Sequence, residues 1–178
     1  FTHHYSCAPV CSPARAGLLT GLAPHRTGVT GVLREEHDNG GGLRTGLRTI
    51  ADVFRGKGHR TALLGKWHLG MDDAHRPERF GFDYFWGFTS GTIDYMTHVS
   101  RGGGGRGSAV TFDGGRPFRG EGYFPDLLTN RVADYVESHR AEPYFLLVSN
   151  PLPHVPLQAP DRWTGPFRGS MPAKHATY

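Results

Sequence analysis

The sequence predicts an α/β fold, in which a parallel sheet is covered by helices. Two stretches, 49–64 and 125–148, each pair a helical pattern of apolar residues with an apolar strand that follows it closely. Both strands are continuous apolar runs, as is typical of parallel strands buried on both faces. We therefore expect helix and strand to alternate along the chain.

The first predicted element is a helix from Ser12 to Leu22. Ser12 is a residue type that caps helix N-termini, Pro13 suits the first helical position, and Leu18 and Leu19 supply an apolar side. This segment also opens the most specific motif of the chain, so the position of the helix start matters for the chemistry.

The remaining elements come as two helix–strand pairs. A helix is predicted from Thr49 to Lys57, with Thr49 as its N-cap and a glycine at its end, and a short buried strand from Arg60 to Leu64 follows it. The same order recurs later with a helix from Pro125 to His139 and a strand from Tyr144 to Val148. The later helix has an apolar stripe of Leu128, Val132, Tyr135 and Val136.

A long stretch between the two pairs, from Met71 to Gly122, reads as irregular. It is rich in aromatic residues and is broken by the glycine run from Gly102 to Gly105. Long irregular segments inside a domain are usually functional or disordered. The aromatic residues predict a packed excursion, and the glycine run predicts a mobile tip.

Composition excludes several classes of protein. The 178 residues are 37% hydrophobic and contain no apolar run long enough to span a bilayer. Of the 20 Lys and Arg residues, all but Lys57, Lys66 and Lys174 are arginine, whose planar guanidinium suits phosphate, sulfate and carboxylate. A high-GC genome would produce the same bias, so composition alone leaves an anionic partner open.

The most specific motif is Cys11-Ser-Pro-Ala-Arg15-Ala-Gly-Leu-Leu-Thr-Gly21. It places Cys11 just before a predicted helix, where unpaired N–H groups and the helix dipole favour an anion, and Arg15 one turn inside. Such a position lowers the pKa of a thiol and also binds tetrahedral oxyanions.

Two further motifs follow the predicted strands directly. Gly65-Lys-Trp-His-Leu-Gly70 places Lys66 and His68 after the strand that ends at Leu64, and Pro153-His154-Val-Pro156 comes soon after the strand that ends at Val148. Open α/β sheets build their sites at the carboxyl ends of strands. The flanking prolines also restrict the loop that carries His154, which helps a proton donor keep its geometry.

Together these motifs resemble the type I, formylglycine-dependent sulfatases, in their arylsulfatase-like branch. Cys11, Pro13 and Arg15 match the three fixed positions of the family's C-x-P-x-R core, and the likeness continues through 80–95 and 151–160. The resemblance implies an alkaline-phosphatase-like sandwich with a mostly parallel central sheet, and hydrolysis of sulfate monoesters, either aryl sulfates or sulfated glycans. It also implies that residues 1–178 are part of an N-terminal catalytic domain.

The resemblance also assigns roles to residues. Cys11 becomes the formylglycine that acts as nucleophile and metal ligand, and Arg15 orients it. Lys66 and His154 hold the sulfate and assist the leaving oxygen, while His68 removes the proton that starts sulfate release. Two residues of the aromatic excursion are candidates for substrate binding, namely Asp94 and His98.

The implied cofactor is Ca²⁺, with Mg²⁺ as the alternative. Family members bind it with two aspartates after a first strand and with a later Asp-Asn pair. The acidic pair Asp72-Asp73 follows no strand and reads as solvated surface, so it does not replace the first of these pairs. Because residues 1–178 contain neither metal-binding pair, we expect this fragment alone to be inactive. The other histidines lack zinc-site spacing, and a Cys7–Cys11 disulfide is disfavoured because the motif requires a free Cys11.

The resemblance implies partners and a compartment as well. They are a formylglycine-generating enzyme or radical maturase, a sulfated substrate, and a periplasmic or secreted location. One alternative keeps the fold but hydrolyses phosphate esters or phosphonates, as other members of the alkaline phosphatase superfamily do. A second alternative is a non-catalytic, Arg-rich anion-binding module. A nucleic-acid partner is not expected, because the cations are scattered among acids and no RNA- or DNA-binding motif occurs.

Overall fold

The computed structural model describes residues 2–3, 5–34, 41–100, 111–172 and 174–175. These residues form both helices and a five-stranded sheet, which confirms the predicted α/β class. The glycine run at 102–105, predicted to be a mobile tip, lies outside the described residues, as do Phe1, His4, His37 and Tyr178. The elements are α1 (Cys11–Thr20), α2 (Pro24–Thr27), α3 (Ile50–Arg55), β1 (Arg60–Lys66), β2 (Tyr84–Phe88), β3 (Thr111–Asp113), β4 (Arg116–Pro117), α4 (Phe124–Ser138), β5 (Tyr144–Ser149) and α5 (Asp161–Thr164), with short 3-10 helices at Asp73–His75, Pro77–Phe80 and Gly165–Phe167.

The sheet has the strand order β4-β3-β2-β1-β5. Strands β2, β1 and β5 are parallel, while β3 and β4 are antiparallel additions beside β2. The carboxyl ends of the parallel strands therefore meet at one edge, where Gly65 lies opposite Ser149. Gly65 permits this pairing, because its φ is 112° and a Cβ there would lie 2.1 Å from the carbonyl oxygen of Ser149.

Helices cover both faces of the sheet. On one face Leu63 of β1 belongs to a buried cluster with Leu19 of α1 and Ala51 of α3. On the other face Leu64 belongs to a second cluster with Leu128 of α4. The alternation along β1 thus sends neighbouring side chains into two separate cores, as expected for a strand covered on both sides.

Two helix starts illustrate a wrong and a correct prediction. Helix α1 begins at Cys11, so the predicted N-cap role of Ser12 is wrong; Val10 occupies the cap position, and Ser12 is fully buried inside the first turn. Helix α3 begins as predicted after Thr49, whose hydroxyl accepts the N–H of Asp52 while the Asp52 carboxylate accepts the N–H of Thr49. This reciprocal pair is a capping box.

Helix α1 also buries less than predicted. Leu19 is buried, but Leu18 has 70% of its surface exposed, so only one of the two leucines faces the core. Helix α4 runs from Phe124 to Ser138, within one residue of the prediction at each end, and Val136 of its predicted stripe is exposed.

The prediction that the excursion is irregular is wrong for residues 84–88. The excursion contains β2, which pairs along its whole length with β1 and lies in the middle of the sheet. Its aromatic residues are good strand formers, and Phe85 and Phe88 are buried on opposite faces. The aromatic richness therefore marks a covered strand, together with a packed loop after it.

Strand β5 differs from the prediction of burial on both faces. Tyr144 through Leu147 are half-buried, and Val148 has 46% of its surface exposed. Among the described strands β5 pairs with β1 alone, so its other edge and part of both faces lack cover.

Candidate active site

The predicted site residues lie where α1 meets the carboxyl ends of β1 and β5. Cys11 is the first residue of α1 and is half-buried, with a free thiol. Lys66 is the last residue of β1, two positions further than the sequence predicted, and His68 follows on a buried turn. The fold thus gathers residues that are more than fifty positions apart in the chain.

Arg15 ties α1 to both strand ends. Its Nε–H donates to the carbonyl oxygen of Trp67 at 2.7 Å. A terminal nitrogen donates to the carbonyl oxygen of Lys66 and to the hydroxyl of Ser149. Burial lowers the pKa of Arg15 to about 10, and the neighbouring Cys11 acts in the opposite direction. The guanidinium is therefore a fixed cation beside Cys11.

Lys66 is a second cation at the same place, and only 4% of its surface is exposed. Burial lowers its pKa to about 8; Cys11 raises it, while the charge of Arg15 lowers it. Within the described residues, neither Arg15 nor Lys66 forms an ion pair with a carboxylate. A buried and a half-buried cation without a counter-ion favour binding of an anion.

His68 is neutral in this environment. Burial and, next, the charge of Lys66 lower its pKa to about 4. Its Nε2–H donates to the carbonyl oxygen of Leu33 at 2.9 Å, since a carbonyl can only accept. Its Nδ1 is buried without a hydrogen-bond partner, and its backbone is left-handed with a φ of 58°. His68 is thus a base with one free lone pair.

His154 lies on the exposed loop after β5. Its Nδ1–H donates to the carbonyl oxygen of Val155 at 2.8 Å, and its own carbonyl accepts the hydroxyl of Tyr95 at 2.9 Å. The charge of His154 lowers the pKa of His68, although less than burial and Lys66 do. Contact or charge thus connects all five predicted catalytic residues; their catalytic roles stay predictions.

Asp94 and His98 make internal contacts. The Asp94 carboxylate accepts the N–H groups of Met96 and Thr97 at 3.0 and 2.9 Å and the side-chain amide of Gln158 at 2.8 Å. His98, only 2% exposed, donates from Nε2 to the carbonyl oxygen of Gly122. These bonds favour a role in holding the excursion together, and substrate binding by the two residues stays a prediction.

The described residues do not assemble a cation site by themselves. No group of three or more His, Cys, Asp or Glu side chains that could hold a metal ion occurs in the described part of the chain. Asp72 and Asp73 are exposed, as predicted, and they pair with His75 and Arg76. The charged groups that act on Arg15 and Lys66 beside Cys11 are cations and the thiol itself, an arrangement that suits an anion.

Cys7 lies beside the site without joining it covalently. Its Sγ is 3.6 Å from the carbonyl oxygen of Pro13, and both cysteines are free thiols. Gly17 makes room for it, because a Cβ there would lie 2.1 Å from the Cys7 sulfur.

Sequence reasoning missed three contributors. Ser149 ends an apolar strand at the site's edge, a position that could have been flagged from sequence. Ser12 was read as a cap, although its hydroxyl accepts the N–H of Leu33 at 3.2 Å. Leu33 itself acts through its backbone, so its side-chain identity gives no indication of this role.

None of the helices in the described part of the chain is both long and apolar enough to cross a membrane.

Comparison with known proteins gives one consistent family. Residues 1–178 match the family model described as Sulfatase. Steryl-sulfatase of Homo sapiens is 40% identical over 99 residues, covering 49% of this chain and 17% of that protein. Arylsulfatase G of Mus musculus is 42% identical over 87 residues, covering 49% of this chain and 16% of that protein. The match therefore spans less than a fifth of these curated relatives.

Solved structures match nearly the whole chain. The structure of Ps i-CgsB is 28% identical with a TM-score of 0.85, covering 98% of this chain and 41% of that one. A complex of Ps i-CgsB with k-i-k-neocarrahexaose is 27% identical with a TM-score of 0.84, covering 97% and 42%. These matches confirm the predicted alkaline-phosphatase-like arrangement.

Proposed function

Because the chain belongs to the sulfatase family, we propose that the protein containing these 178 residues hydrolyses sulfate monoesters at the site around Cys11. The observation that carries the proposal is a pair of cations beside Cys11, namely the half-buried Arg15 and the buried Lys66, which lack a carboxylate partner among the described residues. A sulfate ester supplies the missing negative charge. Residues 1–178 would then be part of its N-terminal catalytic domain.

Cys11 is the proposed nucleophile position. Oxidation to formylglycine would supply a hydrated aldehyde, with one hydroxyl to attack sulfur and a second to expel sulfate afterwards. Cys11 fits this modification because it is a free, half-buried thiol at the first position of α1, within electrostatic reach of Arg15 and Lys66. A formylglycine-generating enzyme or radical maturase is the proposed partner.

Arg15 and Lys66 would hold the sulfuryl oxygens. The negative charge of these oxygens persists through the transition state, and preorganised cations stabilise it without reorganisation during the reaction. Arg15 is held by acceptors at the ends of β1 and β5, and β1 fixes the backbone of Lys66. The Arg15 guanidinium is therefore in place before substrate arrives.

His68 and His154 would move protons. The free Nδ1 of His68 and its low pKa of about 4 keep it unprotonated near neutral pH, as a base requires. His154 donates from Nδ1 to Val155 and so leaves Nε2 available on an exposed loop. We propose the base role for His68 and the leaving-oxygen role for His154.

A divalent cation, calcium or magnesium, is proposed for the complete enzyme on the basis of family resemblance. The described residues do not fit a cation on their own, so its further ligands must come from elsewhere in the protein. A periplasmic or secreted location is proposed on the same basis.

The substrate class has two members, aryl sulfates and sulfated glycans. The likeness to a protein solved with k-i-k-neocarrahexaose, over 97% of this chain, supports testing glycans first. A panel of sulfated oligosaccharides and one aryl sulfate, assayed by sulfate release, would rank the two.

The test of the proposal is Cys11→Ala in the full-length protein, coexpressed with a formylglycine-generating enzyme. We expect sulfate-ester hydrolysis to fall to background, since Cys11 is the cysteine at the first position of the C-x-P-x-R motif and Cys7 lies outside that motif. Cys7→Ala is the matched control and should retain activity. Retained activity in Cys11→Ala would overturn the proposal, and a preference of many orders for an aryl phosphate would replace sulfate by phosphate as the substrate.

A further inference from the structure

We propose that Ser12 is a positioning residue that, through the backbone of Leu33, holds His68 in the tautomer with hydrogen on Nε2 and a bare Nδ1. The inference rests on the proposed function only where it calls His68 a base. The tautomer and its cause can be measured without any turnover.

The first step is the placement of Ser12. It follows Cys11 directly in α1, and its surface is fully buried. Instead of capping the helix, its hydroxyl accepts the backbone N–H of Leu33 at 3.2 Å, across twenty-one residues of sequence. A buried hydroxyl used in this way fixes one point of the segment that follows α2.

The second step joins that point to His68. The carbonyl oxygen of Leu33 accepts the Nε2–H of His68 at 2.9 Å. The N–H and the C=O of one residue are thus both engaged, one toward α1 and the other toward the turn after β1. Ser12 and His68 are connected through the backbone of one residue, Leu33.

The third step concerns the imidazole itself. Because a carbonyl can only accept, the bond to Leu33 requires hydrogen on Nε2, and the neutral ring then presents a lone pair at Nδ1. That Nδ1 is buried and has no hydrogen-bond partner within the described residues. A buried atom left unpaired is costly and needs an explanation, and a role in the reaction supplies one for this Nδ1.

Loss of the Ser12 hydroxyl should weaken this arrangement. The N–H of Leu33 would lose this acceptor, and the carbonyl beside it would no longer be held at a fixed distance from the ring. His68 could then rotate or exchange its proton between the two nitrogens, so that a smaller fraction of molecules would present a bare Nδ1.

The kinetic test compares Ser12→Ala and Ser12→Thr in the full-length, coexpressed protein. Mass spectrometry first verifies equal conversion of Cys11 in all variants, because Ser12 lies inside the modification motif. We expect Ser12→Ala to lower kcat about tenfold with KM within twofold, and Ser12→Thr to keep most of the activity because it restores the hydroxyl. Thr61→Ala, which removes a buried hydroxyl at the far end of β1, is the matched control and should leave kcat unchanged.

The spectroscopic test reads the tautomer directly. Imidazole ¹⁵N shifts are recorded on protein labelled with ¹⁵N-histidine, and His68→Gln identifies the His68 signals. We expect hydrogen on Nε2 in the wild type and a mixture of tautomers in Ser12→Ala.

Several results would overturn the inference. They are hydrogen on Nδ1 in the wild type, an unchanged tautomer in Ser12→Ala, or equal losses of kcat in the alanine and threonine variants. If the wild type shows the expected tautomer and Ser12→Ala the expected mixture, but no protein hydrolyses sulfate esters, the positioning role stands and the proposed function fails.

Discussion

The two ends of strand β1 use the same kind of residue in opposite ways. At the amino end Arg60 pairs with Glu142 at 3.1 Å, and the hydrogen bond that Arg60 donates to that carboxylate raises the pKa of Arg60. At the carboxyl end Arg15 and Lys66 have no carboxylate partner in the described part of the chain, and burial lowers the pKa of both. The protein thus supplies a counter-ion at the amino end, whereas the described residues supply none at the carboxyl end.

The cavity at the amino end of β1 supports the same distinction. A cavity of about 330 Å³ opens at the amino end, where Arg60 and Arg131 face Asp83 and Asp134. Arg131 is paired with Asp113 at 3.1 Å. This lining is balanced in charge and offers no unpaired cation to an anionic substrate.

The largest expected effect comes from removing one uncompensated charge. Lys66→Met keeps the length of the side chain but deletes its cation, and we expect kcat for a sulfate ester to fall by roughly 10²–10³, as when one preorganised donor is lost. Lys57→Met, at an exposed position after α3, is the matched control and should behave as wild type. Steady-state kinetics in the full-length protein decide the matter; an unchanged kcat in Lys66→Met would remove Lys66 from the site.

The next prediction concerns the dependence of the free energy of unfolding on pH. His68 has an ordinary pKa of 6.5 when unfolded and about 4 when folded, so between these values the unfolded chain binds the additional proton. Stability from this residue therefore rises as pH increases from about 4 to 6.5, by about 3 kcal/mol in total. Urea unfolding across this range should show that slope in the wild type and lose it in His68→Gln.

The control for this slope is the exposed His25, whose replacement by Gln should leave the slope in place. An identical pH dependence in His68→Gln and wild type would show that His68 is not held neutral by its surroundings.

A smaller effect is expected from the geometry of Arg15. Arg15→Lys keeps the charge but cannot donate to Trp67, Lys66 and Ser149 from one planar group. The loss of hydrogen bonds from a charged donor, each worth about 1.5–3 kcal/mol, should lower kcat/KM roughly 10- to 100-fold. Full activity of Arg15→Lys would mean that charge alone is needed.

The smallest effect is expected at the opposite end of β1. Arg60→Lys alters an exposed ion pair, and such pairs contribute little. We expect kcat/KM within twofold of the wild type and the same melting temperature within error. A large loss of activity would contradict the assignment of the site to the carboxyl end of β1 alone.

The sequence predicted those parts of the molecule that depend on local chemistry. The capping box at Thr49, the span of α4 and the position of Lys66 and His68 at the carboxyl end of a strand all follow from short-range patterns. The gathering of Cys11 with Lys66 could be inferred only because parallel strands end at a common edge and because the motifs resemble a known family.

The missed features depend on tertiary contacts. Strand β2 was hidden because its glycine and aromatic residues match a packed loop as well as a covered strand, and only pairing with β1 decides between them. Ser12 has the side chain of a helix cap, but α1 begins one residue earlier and turns that hydroxyl toward Leu33. The role of the Leu33 carbonyl has no side-chain signature at all.

The most direct measurement is the mass of the peptide that contains Cys11. It should be taken from the full-length protein after coexpression with a formylglycine-generating enzyme. If the cations at the carboxyl end of β1 surround a sulfatase nucleophile, the peptide will carry the aldehyde of formylglycine at position 11. An unmodified thiol in active protein would contradict the account, because the residue held beside Arg15 and Lys66 would then not be the proposed catalytic group.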